Sequence, residues 1–211
     1  MNSPAHCSPL TQATLLVAVS RLVSIDHELS AIVSAHGIPP LWARRPSFAT
    51  LIQITLEQQV TLASAAASYR RLSSTLGRVT PHRILERAHG ELTALGLTRQ
   101  KARYCQEIAR AVVSDRLDLP SLHHASSEQV RLELTRIVGI GRWTADIYLL
   151  MALRRPDVWP RGDLALYQAL REVKRSNYSP QQLDELARHW RPWRAVAARI
   201  LWHYYLRIRR S

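Results

Sequence analysis

Two glycines separated by a single residue, Gly139 and Gly141, join two helical segments of the sequence. A link this short allows only a tight hairpin, and its two glycines permit positive φ values and a close approach to another molecule without a Cβ in the way. The second segment begins with unpaired N–H groups at Gly141, Arg142 and Trp143, which can bind an anion. The hairpin is therefore predicted to hold a nucleic-acid phosphate through main-chain donors that read no base. The alternative is that the glycines only connect two helices.

Of the carboxylates that follow the hairpin, Asp146 and Asp163 are the two candidates for chemistry. Asp163 lies three residues after Pro160 and opens a helix, where backbone dipoles favour a negative charge. An ionised carboxylate can stabilise a cationic transition state or position a water for attack. Asp163 is thus the candidate catalytic residue, with a simple helix cap, worth about 1 kcal/mol, as the alternative. Asp146, within an apolar helix, is the other catalytic candidate, although we interpret it as the structural partner of an arginine.

Arginine dominates the charged residues. Lys and Arg number 29 against 16 Asp and Glu, which gives a net charge of +13, and Lys101 and Lys174 are the only lysines. Arginine makes planar, bidentate contacts with phosphate, so the excess favours a polyanionic partner over a merely solvated surface. A mechanism that uses a lysine amine has only these two candidates.

Composition excludes several other classes of protein. The hydrophobic content of 46% is typical of a folded globular chain. No apolar run reaches the roughly 18 residues of a membrane helix, and the first residues do not resemble a signal peptide. We therefore expect a cytoplasmic protein, associated with the nucleoid if it is bacterial, with no membrane partner. Cys7 and Cys105 cannot supply a four-cysteine zinc or iron–sulfur site.

Helical periodicity runs through nearly the whole chain, and no segment alternates like a strand. The patterns predict an all-α bundle of nine or ten short helices, with residues 1–10 disordered. Proline at 180 and 192 suits the first turn of a helix. The main predicted helical segments are 10–35, 47–54, a longer one ending near 76, 81–90, a short one ending at 95, 99–114, 127–137, 142–153 and 163–173.

The hairpin, the sequence Trp143-Thr144-Ala145 after it, and the later Pro160 and Asp163 together resemble the helix-hairpin-helix DNA glycosylase superfamily. Four further parts of the sequence are similar to its AlkA-type 3-methyladenine DNA glycosylases, in a form without the N-terminal α/β domain. They are residues 56–66, 96–102, 190–194 and 202. The similarity spans residues 40–205. It implies one glycosylase unit over residues 1–211, compact and two-lobed, with an active-site cleft between the lobes. Gly162 departs from the relatives that place a second Asp there.

The resemblance also implies site residues. Asp163 is the catalytic carboxylate, and Gln59 occupies the position of the wedge that fills the gap left by a flipped base. Trp202 lies off the apolar stripe of the last helix, although core filling is its alternative role. The implied base pocket contains Trp143, Ile147, Trp202 and His203. The implied DNA contacts are Gln58, Gln59, Arg99, Lys101, Gly139, Gly141, Arg142 and Thr144. The backbone carbonyls implied to bind a monovalent Na or K ion are those of Thr135, Ile137 and Ile140.

The implied reaction is removal of alkylated bases from double-stranded DNA by a monomeric enzyme that needs no further cofactor and no iron–sulfur cluster. A 3- or 7-methylpurine is already cationic, so it leaves without protonation and a single Asp suffices. Aromatic faces attract such a base through cation–π interactions. Trp143 stands where lyase members carry a catalytic Lys, which predicts a monofunctional glycosylase. The alternatives are a non-catalytic DNA-binding or damage-sensing module and, less favoured, a lyase for oxidised bases.

Overall fold

The computed structural model describes residues 8–209, and every regular element in that range is helical. The predicted all-α class is confirmed, with twelve α-helices among the described residues instead of nine or ten. Short 3₁₀ turns cover Ser121–His123 and Ala187–Trp190, and a π-helical turn covers Tyr148–Ala152. The helices are α1 Gln12–Ile25, α2 His27–His36, α3 Phe48–Leu56, α4 Leu62–Leu76, α5 Pro81–Leu85, α6 His89–Ala94, α7 Arg99–Val113, α8 Ser127–Thr135, α9 Arg142–Ile147, α10 Leu164–Lys174, α11 Pro180–Leu186 and α12 Arg194–Ile208.

Asp26 explains part of the difference in helix count. The segment 10–35 was predicted as one helix because its apolar periodicity is continuous. In the structure Asp26 ends α1 and caps α2, since its side chain accepts a hydrogen bond of 2.9 Å from the N–H of Leu29. A side-chain cap interrupts a helix without disturbing the hydrophobic pattern on either side.

The disorder predicted for residues 1–10 does not extend to Leu10. Residues 1–7, including Cys7, lie outside the described residues. Leu10, predicted to be disordered, is buried and donates its N–H to the carbonyl of Arg154 at 2.7 Å. Burial of this apolar side chain and the backbone hydrogen bond hold the segment in place.

The chain divides into two compact units, of which the second is continuous and runs from Arg44 to Tyr148. It contains α3 to α9, with α7 packed against α3, α5 and α6, and α8 packed against α9. Its core is formed by apolar side chains that include Leu51, Ile54, Leu72, Ile108 and Val130. This unit carries the predicted hairpin.

The first unit combines the chain up to Ala43 with the segment from Leu149 onward. In this unit α12 packs against α1, α2 and α10. Nine consecutive residues of α12, from Ala195 to His203, are buried, so this helix forms the centre of the unit. Asp163 and Trp202 both belong here. Among the described residues, no helix combines the length and the apolar character required to span a bilayer.

Candidate active site

Asp163 is the residue immediately before α10 and caps that helix. Its Oδ1 accepts a hydrogen bond of 2.9 Å from the N–H of Leu166, and only 8% of the residue is exposed. The cap that the sequence left as an alternative is therefore present. It fixes the carboxylate at the positive end of the helix dipole, which is compatible with a second role in catalysis.

Trp202 and His203, both predicted pocket residues, lie in the same unit as Asp163. The Nε1–H of Trp202 donates a hydrogen bond of 3.2 Å to Asp163 Oδ1. Nε2 of His203 lies 2.9 Å from the carbonyl oxygen of His36. Because a carbonyl only accepts, Nε2 carries the proton in this contact. The structure thus brings together the indole and the carboxylate that the sequence assigned to one site.

The loop before Asp163 is anchored by a hydrogen-bonded network that the sequence analysis missed. The N–H of Gly162 donates to Tyr167 Oη at 2.8 Å, and this hydroxyl donates to Asp184 Oδ1 at 2.7 Å. Trp159 Nε1–H donates to the same oxygen at 2.9 Å. Burial raises the pKa of Tyr167 to about 12, so its hydroxyl remains a donor. The spacing of Tyr167 four residues after Asp163, on the same helix face, was the available signal.

Two more residues near Trp202, Trp42 and Arg199, were not predicted from the sequence. Trp42 packs edge-on against the Trp202 ring, with centroids 6.5 Å apart, and tilts against His203 at 6.3 Å. Arg199 is fully buried and donates to the carbonyls of Leu41, Ala195 and Leu150 at 2.8 to 2.9 Å. A lone Arg within the apolar sequence 195–202 could have indicated this buried cation. Burial lowers the Arg199 pKa to about 9.

In the second unit, the two hairpin glycines differ in what they provide. Gly139 has φ +97°, and a Cβ at this position would lie 2.3 Å from Cγ of Tyr104. Gly141 is extended, with φ −86°, and a Cβ there would meet nothing within 4 Å. The expected positive φ is therefore wrong for Gly141, whereas its close approach to another molecule stays a prediction. At Gly139 the close approach is to Tyr104 of the same unit.

Gln58 braces the hairpin from the end of α3. Its Nε2 donates to the carbonyl of Gly139 and to the hydroxyl of Thr144, both at 2.8 Å. Gln59, the predicted wedge, is exposed and has φ +54° in the turn between α3 and α4. Its direct contact with DNA stays a prediction.

The two basic residues predicted near the start of α7 lie in different surroundings. Arg99 is exposed. Lys101 is half-buried and donates from Nζ to the carbonyl of Leu56 at 2.6 Å. Burial lowers the pKa of Lys101. In this structure the amine of Lys101 provides a hydrogen-bond donor to the last carbonyl of α3.

Asp146 is fully buried and pairs with two arginines, in agreement with its expected structural role. Arg131 Nε donates to Oδ1 at 2.6 Å, and Arg142 Nε donates to Oδ2 at 3.2 Å. Burial raises the pKa of Asp146, and both arginines act in the opposite direction. Arg142, the predicted hairpin cation, therefore already has a partner within α9, the buried carboxylate of Asp146.

The remaining predicted pocket residues belong to the second unit. Trp143 is half-buried and Ile147 is buried. The helix predicted for 142–153 is an α-helix only to Ile147 and continues as the π-helical turn. The role of Trp143 and Ile147 in a base pocket stays a prediction.

No group of three His, Cys, Asp or Glu side chains in the described residues could hold a metal ion. The predicted monovalent site would use backbone carbonyls instead. Thr135 is the last residue of α8, where carbonyls lack helical partners, while the carbonyl of Ile137 accepts an N–H from Ile140 at 3.0 Å. A carbonyl has two lone pairs, so this hydrogen bond leaves Ile137 able to accept a second contact, and the cation site stays a prediction.

Comparison with known proteins identifies the class. The model of the HhH-GPD superfamily of base excision DNA repair proteins matches residues 52–195. The chain belongs to this superfamily, which confirms the helix-hairpin-helix resemblance. It is 26% identical over 192 residues to a putative DNA-3-methyladenine glycosylase of Bacillus subtilis, covering 84% of this chain and 67% of that protein.

Two solved structures are similar over most of their length. The DNA-3-methyladenine glycosidase of Bacillus halodurans is 26% identical, with a TM-score of 0.74 over 92% of this chain and 91% of the other. The 3-methyladenine DNA glycosylase of Schizosaccharomyces pombe, solved with abasic DNA, is also 26% identical. Its TM-score is 0.80 over 88% of this chain and 94% of the other.

Proposed function

We propose that the protein is a monofunctional DNA glycosylase that hydrolyses the N-glycosidic bond of alkylated bases, of the 3-methyladenine and 7-methylguanine type, in double-stranded DNA. The observation that carries this proposal is the hydrogen bond from Trp202 Nε1–H to Asp163 Oδ1. It joins a carboxylate to an aromatic ring that can recognise a base. The relatives named above as 3-methyladenine glycosylases support the same substrate class.

Asp163 is the catalytic residue of the proposed reaction. Cleavage of the glycosidic bond develops positive charge on the sugar, and a carboxylate held in place stabilises that charge. The cap to Leu166 and the bond from Trp202 both fall on Oδ1, so the carboxylate is oriented before DNA binds. Asp163 either stabilises the charge or positions the attacking water. A cationic base leaves without protonation, which is why one carboxylate is enough.

The absence of lyase activity is a further part of the proposal. A lyase forms a Schiff base through an amine, and the position that would hold the catalytic Lys is Trp143. Of the two lysines, Lys101 donates to Leu56 O and Lys174 pairs with Glu28 at 2.9 Å. The expected product is an intact strand with an abasic site. Strand scission without alkali, or a borohydride-trapped covalent complex, would contradict this part.

DNA binding is assigned to the hairpin and the α3–α4 turn. Gly139, Gly141 and Arg142 would face the phosphate backbone, and Arg99 and Lys101 would add charge. Thr144, also predicted to contact DNA, is only 1% exposed and its hydroxyl accepts a hydrogen bond from Gln58, so it supports the hairpin from within. Gln59 would fill the gap left by the flipped base. The carbonyls of Thr135, Ile137 and Ile140 would hold a Na or K ion. We also propose that the enzyme acts as a monomer.

The test is release of free bases from methylated duplex DNA, measured by chromatography, with wild type and Asp163→Asn side by side. Asparagine keeps the size and the capping oxygen but loses the charge, so DNA binding should persist while base release falls by at least about 100-fold. Undiminished release by Asp163→Asn would contradict the role of Asp163. No release by the wild type would favour the DNA-binding or damage-sensing module.

A further inference from the structure

We infer that Trp42 is a specificity-determining residue that forms a second aromatic wall beside Trp202 and selects flat, positively charged bases. This inference rests on the proposed function and extends it to a residue outside the family-matched segment, which begins at residue 52. Four observations support it, all from the first unit of the chain.

Trp42 contacts Trp202, and Trp202 in turn contacts the candidate catalytic residue Asp163. Its ring meets that of Trp202 at 69°, with centroids 6.5 Å apart, and Trp202 is bonded to Asp163 at 3.2 Å. Two aromatic planes at this angle form a corner. A flat base stacked on one face would present its edge to the other ring, and both contacts attract a cation.

The backbone of Trp42 adopts a left-handed conformation, which is unfavourable for a residue with a bulky side chain. Its φ is +46°, a value that is unusual for a bulky residue and costs of order 1–3 kcal/mol. Such strain persists only where neighbouring structure enforces it, and it concentrates at ligand-binding sites.

Arg199 supplies part of that enforcement. Its Nε donates to the carbonyl of Leu41 at 2.8 Å, directly before Trp42, while its other nitrogens hold Ala195 and Leu150. A buried guanidinium therefore fixes the backbone from which Trp42 projects, and His203 supports the ring from α12 at 6.3 Å.

Trp42 also retains partial exposure, unlike a ring that only fills a core. It is half-buried, whereas Trp190, which packs on Trp159, is fully buried. Part of the Trp42 ring can therefore contact a ligand. The attraction between a cation and an aromatic face is largest for tryptophan and smaller for phenylalanine.

The experiment measures single-turnover release of 7-methylguanine at saturating protein, together with the affinity for DNA that carries an abasic-site analogue and hence no base. We expect Trp42→Leu to slow release about 10-fold and Trp42→Phe about 3-fold, while abasic-DNA affinity stays within about two-fold of wild type. Tyr205→Leu, which removes another half-buried ring that packs on Arg209, is the matched control and should leave release unchanged.

Equal release by wild type and Trp42→Leu would overturn the inference, as would a parallel loss of release and abasic-DNA affinity. If Trp42→Leu does not fold, judged by circular dichroism, Trp42→Phe decides: an unchanged release rate then overturns the inference. A wild type that releases no methylated base refutes the proposed function instead, so the two failures are distinguishable.

Discussion

The indole N–H of Trp202 donates a hydrogen bond of 3.2 Å to Oδ1 of Asp163, so the proposed base-recognition residue and the candidate catalytic carboxylate are directly connected. Trp202 is only 8% exposed, as is Asp163. A hydrogen bond to a charged group contributes more when both partners are shielded from water. The proposed function gives this tryptophan two separable roles, orientation of the carboxylate and stacking of the base.

Trp202→Phe should separate these functions. Phenylalanine keeps an aromatic face but has no donor for Asp163 Oδ1. Loss of a bond worth about 1.5–3 kcal/mol should slow single-turnover base release by about 10-fold or more. Affinity for abasic-DNA should remain near that of wild type, because no base is present to stack. Release at the wild-type rate would show that the hydrogen bond does not orient the carboxylate in the reaction.

Gly139→Ala should destabilise the protein far more than Gly141→Ala. At Gly139 a Cβ would lie 2.3 Å from Tyr104 Cγ, on a backbone with φ +97°. Strain and overpacking together should lower the free energy of unfolding by at least about 2 kcal/mol, measured by urea denaturation. At Gly141 the added methyl group has open space, and the cost should be about 1 kcal/mol or less. Similar losses for both variants would contradict the packing role of Tyr104.

The contrast between these glycines shows how far the sequence predicted the site. The all-α class follows from helical periodicity, whereas the assignment of Asp163 and Trp202 to one site came from the resemblance to a known family, and their hydrogen bond is consistent with it. Tyr104 against Gly139 and Trp42 against Trp202 are contacts between distant segments, and no periodicity specifies such partners. The division at Asp26 was missed for a related reason, since a single side chain ends one helix and starts the next.

Asp26 should make stability depend on acid pH. Burial raises the pKa of this carboxyl, but hydrogen bonds from Leu29 N–H and Trp190 Nε1–H and the charge of Lys174 outweigh it, so the net shift is downward. The unfolded chain, with a carboxyl pKa of about 3.9, then binds more protons than the folded chain, and stability falls as pH drops through the folded pKa.

In Asp26→Asn this contribution should be absent. The difference in unfolding free energy between wild type and Asp26→Asn should be largest near neutral pH and should shrink below about pH 4, measured by urea denaturation at several pH values. A difference that is the same at pH 7 and pH 3 would contradict the role of the charged carboxylate.

Arg131 should be more important for stability than Arg142, although both bind Asp146. The Arg131 side chain is 12% exposed and lies 2.6 Å from Oδ1, whereas Arg142 is 48% exposed and lies 3.2 Å from Oδ2. Arg131→Met leaves a buried carboxylate with one solvent-screened partner and should lower the unfolding free energy by about 3–5 kcal/mol. Arg142→Met should cost about 1 kcal/mol or less, because the exposed Arg142 guanidinium is screened by solvent and Arg131 remains to pair with the buried carboxylate.

A second substitution and a change of pH test the cause of that loss. Arg131→Met with Asp146→Asn removes the unpaired charge and should be more stable than Arg131→Met alone. Burial already raises the pKa of Asp146, and loss of Arg131 raises it further. The folded state of Arg131→Met therefore binds the proton more tightly than the unfolded chain, so the variant should regain stability as pH falls through the folded pKa toward about 4. If neither the second substitution nor acid restores stability, the loss comes from the packing of the Arg131 side chain and not from the buried charge.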